Sequence, residues 1–186
     1  DDQLLAATGA NEDIHLWQVF DGQQFLTLRG HTSWVLSVVF SPDGQRLASG
    51  GEDCQIKLWN LKDGNCLATL IGHTDYVHSV SFSPNGKILA SSSIDQTVKL
   101  WDAITGECLN TLHGHDGWIE RVVFSPNGQM LASSSNDQTV KLWDAITGEC
   151  IQTFYGHRGQ VSAVAFSPDN KLLASCSGDC TIKLWQ

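Results

Sequence analysis

The sequence predicts an all-β chain assembled from small four-stranded sheets, and three observations carry that expectation. Tryptophan recurs at positions 17, 59, 101, 143 and 185, always 42 residues apart. Gly-His at 30–31, 72–73, 114–115 and 156–157, the four prolines, and the aspartates at 53, 95, 137 and 179 keep the same step without a gap. Short β-branched and apolar runs between turn-forming residues fill each period, and no helical periodicity appears. A repeat of this length is the mark of stacked units that are each too small to bury their own faces.

The period from Gly30 to Ile71 shows the elements in order. Strand a covers Val35 to Phe40 and ends at Ser41-Pro42-Asp43-Gly44, where proline presets φ and glycine relieves the turn. Strand b runs from about Arg46 to Gly50, and Gly51-Glu52-Asp53 turns tightly into strand c, Gln55 to Trp59. Lys62-Asp63-Gly64 leads into strand d, Cys66 to Leu70. On this count residues 1–29 are a partial blade with strands b, c and d, and 30–71, 72–113 and 114–155 are complete repeats. Residues 156–186 lack strand d, so the total is 18 strands, about four and a half four-stranded blades.

Gly30-His31, Phe40-Ser41-Pro42-Asp43-Gly44, Leu47-Ala48-Ser49 and Ile56-Lys57-Leu58-Trp59, with their copies, resemble the WD40 repeat family over essentially the whole chain. Trp101-Asp102 and Trp143-Asp144 are the family's Trp-Asp endings, and Trp59-Asn60, Trp17-Gln18 and Trp185-Gln186 are degenerate forms. The near identity of the repeats is similar to bacterial WD40 β-propeller arrays, often sensors on signalling proteins. The resemblance implies a WD40-type β-propeller. Because the family is mostly seven- or eight-bladed, it also implies part of a larger ring, completed by further blades of a parent chain or by other copies. The opening at Asp1 without Met points to a piece of something longer.

Each repeat supplies a His, a Ser, an Asp and a Trp: His31, Ser49, Asp53, Trp59; His73, Ser91, Asp95, Trp101; His115, Ser133, Asp137, Trp143; His157, Ser175, Asp179, Trp185. A nucleophilic triad needs one such set beside an oxyanion hole, whereas four equivalent sets suit four braces. The family resemblance implies a hydrogen-bonded strut, with aspartate, histidine, strand-b hydroxyl and indole in a chain. No catalytic residue, metal or cofactor is expected. The first partial blade has Ala7 and Asn11 at these positions, so its strut should be weak or absent. Lys57, Lys99, Lys141 and Lys183 read as solvated strand lysines.

Composition narrows the function. Eleven Lys and Arg against 20 Asp and Glu give a net charge of −9, which disfavours nucleic acid and anionic membranes. No apolar run approaches the roughly 18 residues of a spanning helix, and no charged-then-apolar leader suggests secretion. Six cysteines in a chain with ample core residues read as reduced thiols, which suits the cytoplasm. Cys176 and Cys180 could face each other across a hairpin, but zinc would need two further ligands.

Specificity should sit where the repeats differ. Residues 72–113 and 114–155 share 28 of 42 positions, and six of the 14 differences form one run, Thr74 to Ser79 against Asp116 to Arg121. One position there carries Trp34, Tyr76, Trp118 and Gln160; two residues on come Leu36, His78, Glu120 and Ser162. The position before the repeated aspartate gives Glu52, Ile94, Asn136 and Gly178. In the WD40 family these places resemble top-face contact positions. The expected function is a non-catalytic scaffold that binds a protein or peptide, with aromatic anchors and acidic residues suited to a Lys or Arg. A propeller that binds a small ligand or carbohydrate through Trp34, Tyr76 and Trp118 is the alternative.

Overall fold

The computed structural model describes residues 3–9 and 11–186; Asp1, with which the chain opens, lies outside the described residues. Every regular element among them is a strand, and no helix is long and apolar enough to cross a membrane. The first three strands are β1 (Leu4–Ala7), β2 (Ile14–Gln18) and β3 (Gln24–Leu28). A second group follows as β4 (Val35–Phe40), β5 (Arg46–Gly51), β6 (Gln55–Asn60) and β7 (Cys66–Ile71). The third is β8 (Val77–Phe82), β9 (Ile88–Ser93), β10 (Val98–Asp102) and β11 (Cys108–Leu112). The fourth is β12 (Ile119–Phe124), β13 (Met130–Ser135), β14 (Val140–Asp144) and β15 (Cys150–Phe154). Last come β16 (Val161–Phe166), β17 (Leu173–Ser177) and β18 (Ile182–Trp185).

Each group is one antiparallel sheet with its strands in chain order, so the five sheets hold three, four, four, four and three strands. Strands b to d run slightly past their sequence-based limits in the second sheet. Gly51 pairs with Val35, Asn60 with Arg46 and Ile71 with Gln55, so the ladder extends one residue into each turn. The turns follow the residue chemistry. Gly44, Gly86 and Gly128 take φ near +70°, and Asn170 takes the place of glycine in the last sheet at φ 60°.

Apolar side chains alternate across each sheet and meet those of the next. Between the first two sheets Ile14, Leu16 and Leu28 pack on Leu47, Trp59 and Leu61, all at most 5% exposed. The same positions one period on build the next two layers, around Trp101 and Trp143. A fourth layer joins Val140 and Ala132 to Val161, Val164 and Leu173. The inner strands β4, β8, β12 and β16 lie successively against one another, which lines up one edge of the last four sheets. Arg46 adds a tie without counterpart in the repeats: its guanidinium donates to the Ala103 and Gly86 carbonyls and lies over the Phe82 ring.

The strand lysines are not the solvated residues expected from sequence. Lys57 is buried and the other three are half-buried. Lys57, Lys99 and Lys141 donate from Nζ to Thr69, Thr111 and Thr153 at 2.9–3.0 Å. The stem lies along the tryptophan edge beneath the Gly of Gly-His; a methyl group at Gly72 would come within 3.1 Å of Trp101 Cη2 and 3.9 Å of Lys99 Cδ. A long apolar stem with a charged tip covers the ring and still reaches a polar partner.

One defect recurs in the layers. Ser92 Oγ and Ser134 Oγ are buried without a hydrogen-bond partner, at the position that holds Gly50 in the second sheet. A buried hydroxyl with no partner costs about 1–3 kcal/mol. Ser92→Ala and Ser134→Ala are therefore expected to raise the urea midpoint or leave it unchanged, and a fall of more than about 1 kcal/mol in either variant contradicts this reading.

Candidate functional site

In each of the last four sheets the turn from strand b to strand c and the loop entering strand a meet at the same end. The aspartate of the turn holds the loop. Asp53 Oδ2 accepts from His31 Nδ1 at 2.8 Å and from the Thr32 amide at 3.1 Å. His31 Nε2 accepts from Ser49 Oγ at 2.7 Å, and Ser49 Oγ accepts from Trp59 Nε1 at 2.8 Å. With the imidazole neutral this is the direction that fits, since a carboxylate only accepts, which places the ring proton on Nδ1, and an indole only donates.

The chain repeats with little variation. His73 lies 2.7 Å from Asp95 and from Ser91, and Trp101 lies 2.8 Å from Ser91. His115 lies 2.6 Å from Asp137 and 2.7 Å from Ser133, with Trp143 at 2.8 Å. His157 lies 2.9 Å from Asp179 and 2.8 Å from Ser175, with Trp185 at 2.9 Å. The four hydroxyls are at most 2% exposed and bonded on both sides, so no substrate carbonyl can reach one. Ala7 in the first sheet has no hydroxyl to relay; there His15, at the lysine position, sits 3.3 Å from Thr27 Oγ1.

Electrostatics follow from these bonds. Burial pushes the Asp95 and Asp137 carboxyls up, but donation from His73 and Thr97, and from His115 and Thr139, outweighs it and holds both well below the ordinary carboxylate range. Asp179 is held low by donation from Thr181, the Arg158 amide and His157. Burial lowers His31 against the pull of Asp53, which favours the neutral ring.

Above these struts lie the positions at which the repeats differ, and main-chain bonds bring them together. The Glu52, Ile94, Asn136 and Gly178 amides donate to the carbonyls of Trp34, Tyr76, Trp118 and Gln160 at 2.8–3.0 Å. Each pairing of strands a and b slips in register at one residue, and that residue is Leu36, His78, Glu120 or Ser162. A bulge re-aims its side chain away from the regular alternation. Trp34, Tyr76 and Trp118 are 51%, 40% and 48% exposed, and Leu36 is 37% exposed. Gln160, Ser162 and Gly178 are exposed too, while Glu52, Ile94 and Asn136 are half-buried. His78 and Glu120 spend part of their polarity on each other, Nδ1 to Oε2 at 3.1 Å across adjacent sheets, and Glu52 accepts from Ser33 at 2.9 Å.

Sequence reasoning missed a recess beside Trp34. It has a volume of about 300 Å³ and is lined by Asn11, Glu12, Asp13 and Trp34, so the first sheet lends two carboxylates to the aromatic edge. The clue was the alignment of Asn11 with the repeated aspartates. The described residues contain no cluster of three or more side chains able to hold a metal ion, and all six cysteines are unpaired, including Cys176 and Cys180.

Ser91→Ala is expected to cost roughly 2 kcal/mol, because His73 and the Trp101 indole both lose a buried partner. Denaturant titration should show this loss. Stability of the native chain should decline as pH falls. Neutral His31 loses its advantage below about pH 6.5, and the depressed aspartates lose theirs below about pH 4. Asp95→Asn should be less stable at pH 7 but flatter below pH 4; an unchanged acid slope rejects this assignment.

Comparison with known proteins agrees with this architecture. The family model described as the WDR3 first beta-propeller domain matches residues 1–186. The chain is also similar to the WD repeat and SOCS box-containing protein 1 of Danio rerio, 48% identical over 44 residues. That match covers 23% of this chain and only 10% of the length of the relative. With all-β sheets in one register and a family model matched from end to end, the chain belongs to the WD40 repeat family, whose propellers are generally non-catalytic scaffolds for protein interaction.

Proposed function

We propose that the chain binds a protein or peptide through the end of its sheets that carries Trp34, Tyr76 and Trp118. The observation that supports this most is the exposure of all three rings at one repeat position, on loops that the buried struts hold in place. Large aromatic side chains kept in solvent at about half their area are a cost to a monomer and an asset to an interface. Glu12 beside Trp34, with Glu52 on the next turn, favours a partner that presents a Lys or Arg; Asp13 in the same recess is already paired with Arg29 at 3.3 Å. Leu36, Gln160, Ser162 and Gly178 border the rings and set shape rather than charge.

The proposal extends to context. An adaptor or sensor segment of a larger signalling protein, of the bacterial type that the repeats resemble, is consistent with near-identical repeats. A cytoplasmic setting is consistent with six unpaired thiols. A carbohydrate or other small ligand on the same rings is the competing reading.

Alanine substitutions at Trp34, Tyr76 and Trp118 separate the two. The interaction reading expects each to weaken capture of a Lys- or Arg-bearing partner peptide by about tenfold or more, with the melting temperature unchanged. Loss of glycan binding in the same variants, with peptide capture intact, would favour the small-ligand reading instead.

A further inference from the structure

We propose that Asn85 and Asn127, each followed by a glycine, are sites of spontaneous conversion to aspartate, held back by the folded turn and accepted by it once formed. They belong to the two Asn-Gly pairs of the sequence. Both asparagines are exposed, on the turns from strand a to strand b. Those turns lie at the opposite end of the sheets from the exposed aromatic rings, so the reaction leaves that end untouched.

In the first step the Gly86 main-chain nitrogen attacks Asn85 Cγ. The new N–C bond closes a five-membered succinimide as the Cγ–Nδ2 bond breaks, and ammonia leaves carrying the glycine amide proton. Water then opens the ring. Addition at Cγ gives aspartate, and addition at the main-chain carbonyl gives isoaspartate, whose backbone holds an extra methylene. Water enters, ammonia departs, and nothing is oxidised or reduced. Glycine favours the attack because no side chain crowds its nitrogen.

The folded turn opposes that attack. The Gly86 amide donates to the Ser83 carbonyl and the Gly128 amide to that of Ser125, both at 2.8 Å. Asn85 Oδ1 accepts from Ser83 Oγ at 2.8 Å and from the Lys87 amide at 3.0 Å. Asn127 Oδ1 accepts from Ser125 Oγ at 2.7 Å and from the Gln129 amide at 3.1 Å. The nitrogen is free to reach Cγ only when these bonds open, so the rate follows local opening of the turn.

The product already stands elsewhere in the chain. Ser41-Pro42-Asp43-Gly44 is the same turn with aspartate, and Ser167-Pro168-Asp169 carries the acid as well. Asp43 Oδ1 accepts from Ser41 Oγ and from the Gln45 amide, and Asp169 Oδ1 from Ser167 Oγ and the Lys171 amide. In all four turns these two bonds fall on one side-chain oxygen, so the reaction exchanges the atom that they do not use. Donation from serine and amide holds both aspartates below the ordinary carboxylate range, so a carboxylate strengthens the bonds that an amide oxygen makes. Isoaspartate lengthens the main chain and loses the bond from glycine to serine. Each conversion adds one negative charge to a chain at −9.

Mass-spectrometric peptide mapping of the whole chain, aged in mildly alkaline buffer with and without urea, tests the idea. Asn85 and Asn127 are expected to convert at least about tenfold more slowly in the folded chain than in urea. Ser83→Ala should speed Asn85, and Ser125→Ala should speed Asn127, each leaving the other asparagine at its native rate. Asn85→Asp and Asn127→Asp need no ageing: their urea midpoints should equal or exceed that of the native chain at neutral pH. Any gain should vanish below about pH 4, where the depressed carboxyl takes up its proton. Equal rates in the folded and unfolded chain overturn the proposal, as does a folded serine variant in which both asparagines speed up together. A lower midpoint for the aspartate variants at neutral pH overturns it too.

Discussion

A four-stranded sheet of 22 to 24 strand residues has two apolar faces and cannot hide either alone, and the rest of the structure follows from that constraint. The solution is repetition. Each sheet shows its successor an isoleucine or valine and a leucine on strand c, and shows its predecessor a leucine and a tryptophan. Because every layer uses the same halves, contacts stay between neighbours and stability is close to a sum of layers. The tryptophan that fills each layer brings an indole N–H into it, and the buried serine hydroxyl answers that donor. The histidine answers the hydroxyl, and the aspartate answers the histidine beneath the turn from strand b to strand c. The polar chain is thus a consequence of the choice of tryptophan, and by ending at two loops it also fixes the outer end of the sheet.

Much of this was legible beforehand because it depends on local chemistry. Proline with glycine or asparagine at 42–44 and 168–170 marks a turn whatever surrounds it, and a 42-residue step is visible without any structure. Other features depend on partners distant in the chain. The bulge at Leu36, His78, Glu120 and Ser162 is a property of pairing between two strands, so composition carries no sign of it. Lys57 looked like a surface residue because its charge was weighed and its stem was not. Arg46 was invisible for a related reason: its acceptors, Gly86 and Ala103, belong to the next sheet, and no repeat offers a second example.

The exposed aromatics mark the limit of sequence reading from the other side. Trp34 and Trp59 are the same residue type 25 positions apart, yet one is half in solvent and the other 1% exposed. What separates them is that Trp59 lies on a regular strand between two sheets and Trp34 lies on the loop before one. Alternation assigns faces within strands but says nothing of loops, so exposure there had to come from coordinates.

The bonds that join Trp34 to Glu52, Tyr76 to Ile94, Trp118 to Asn136 and Gln160 to Gly178 run from amide to carbonyl and involve no side chain. They are therefore indifferent to which residues occupy those positions. Tryptophan, tyrosine and glutamine have all been accepted at one member of the pair, and glutamate, isoleucine, asparagine and glycine at the other, while the geometry holds. The residues at these positions can drift under selection without loss of the scaffold, and a duplicated unit arrives with its frame intact and this end of the sheet free to diverge.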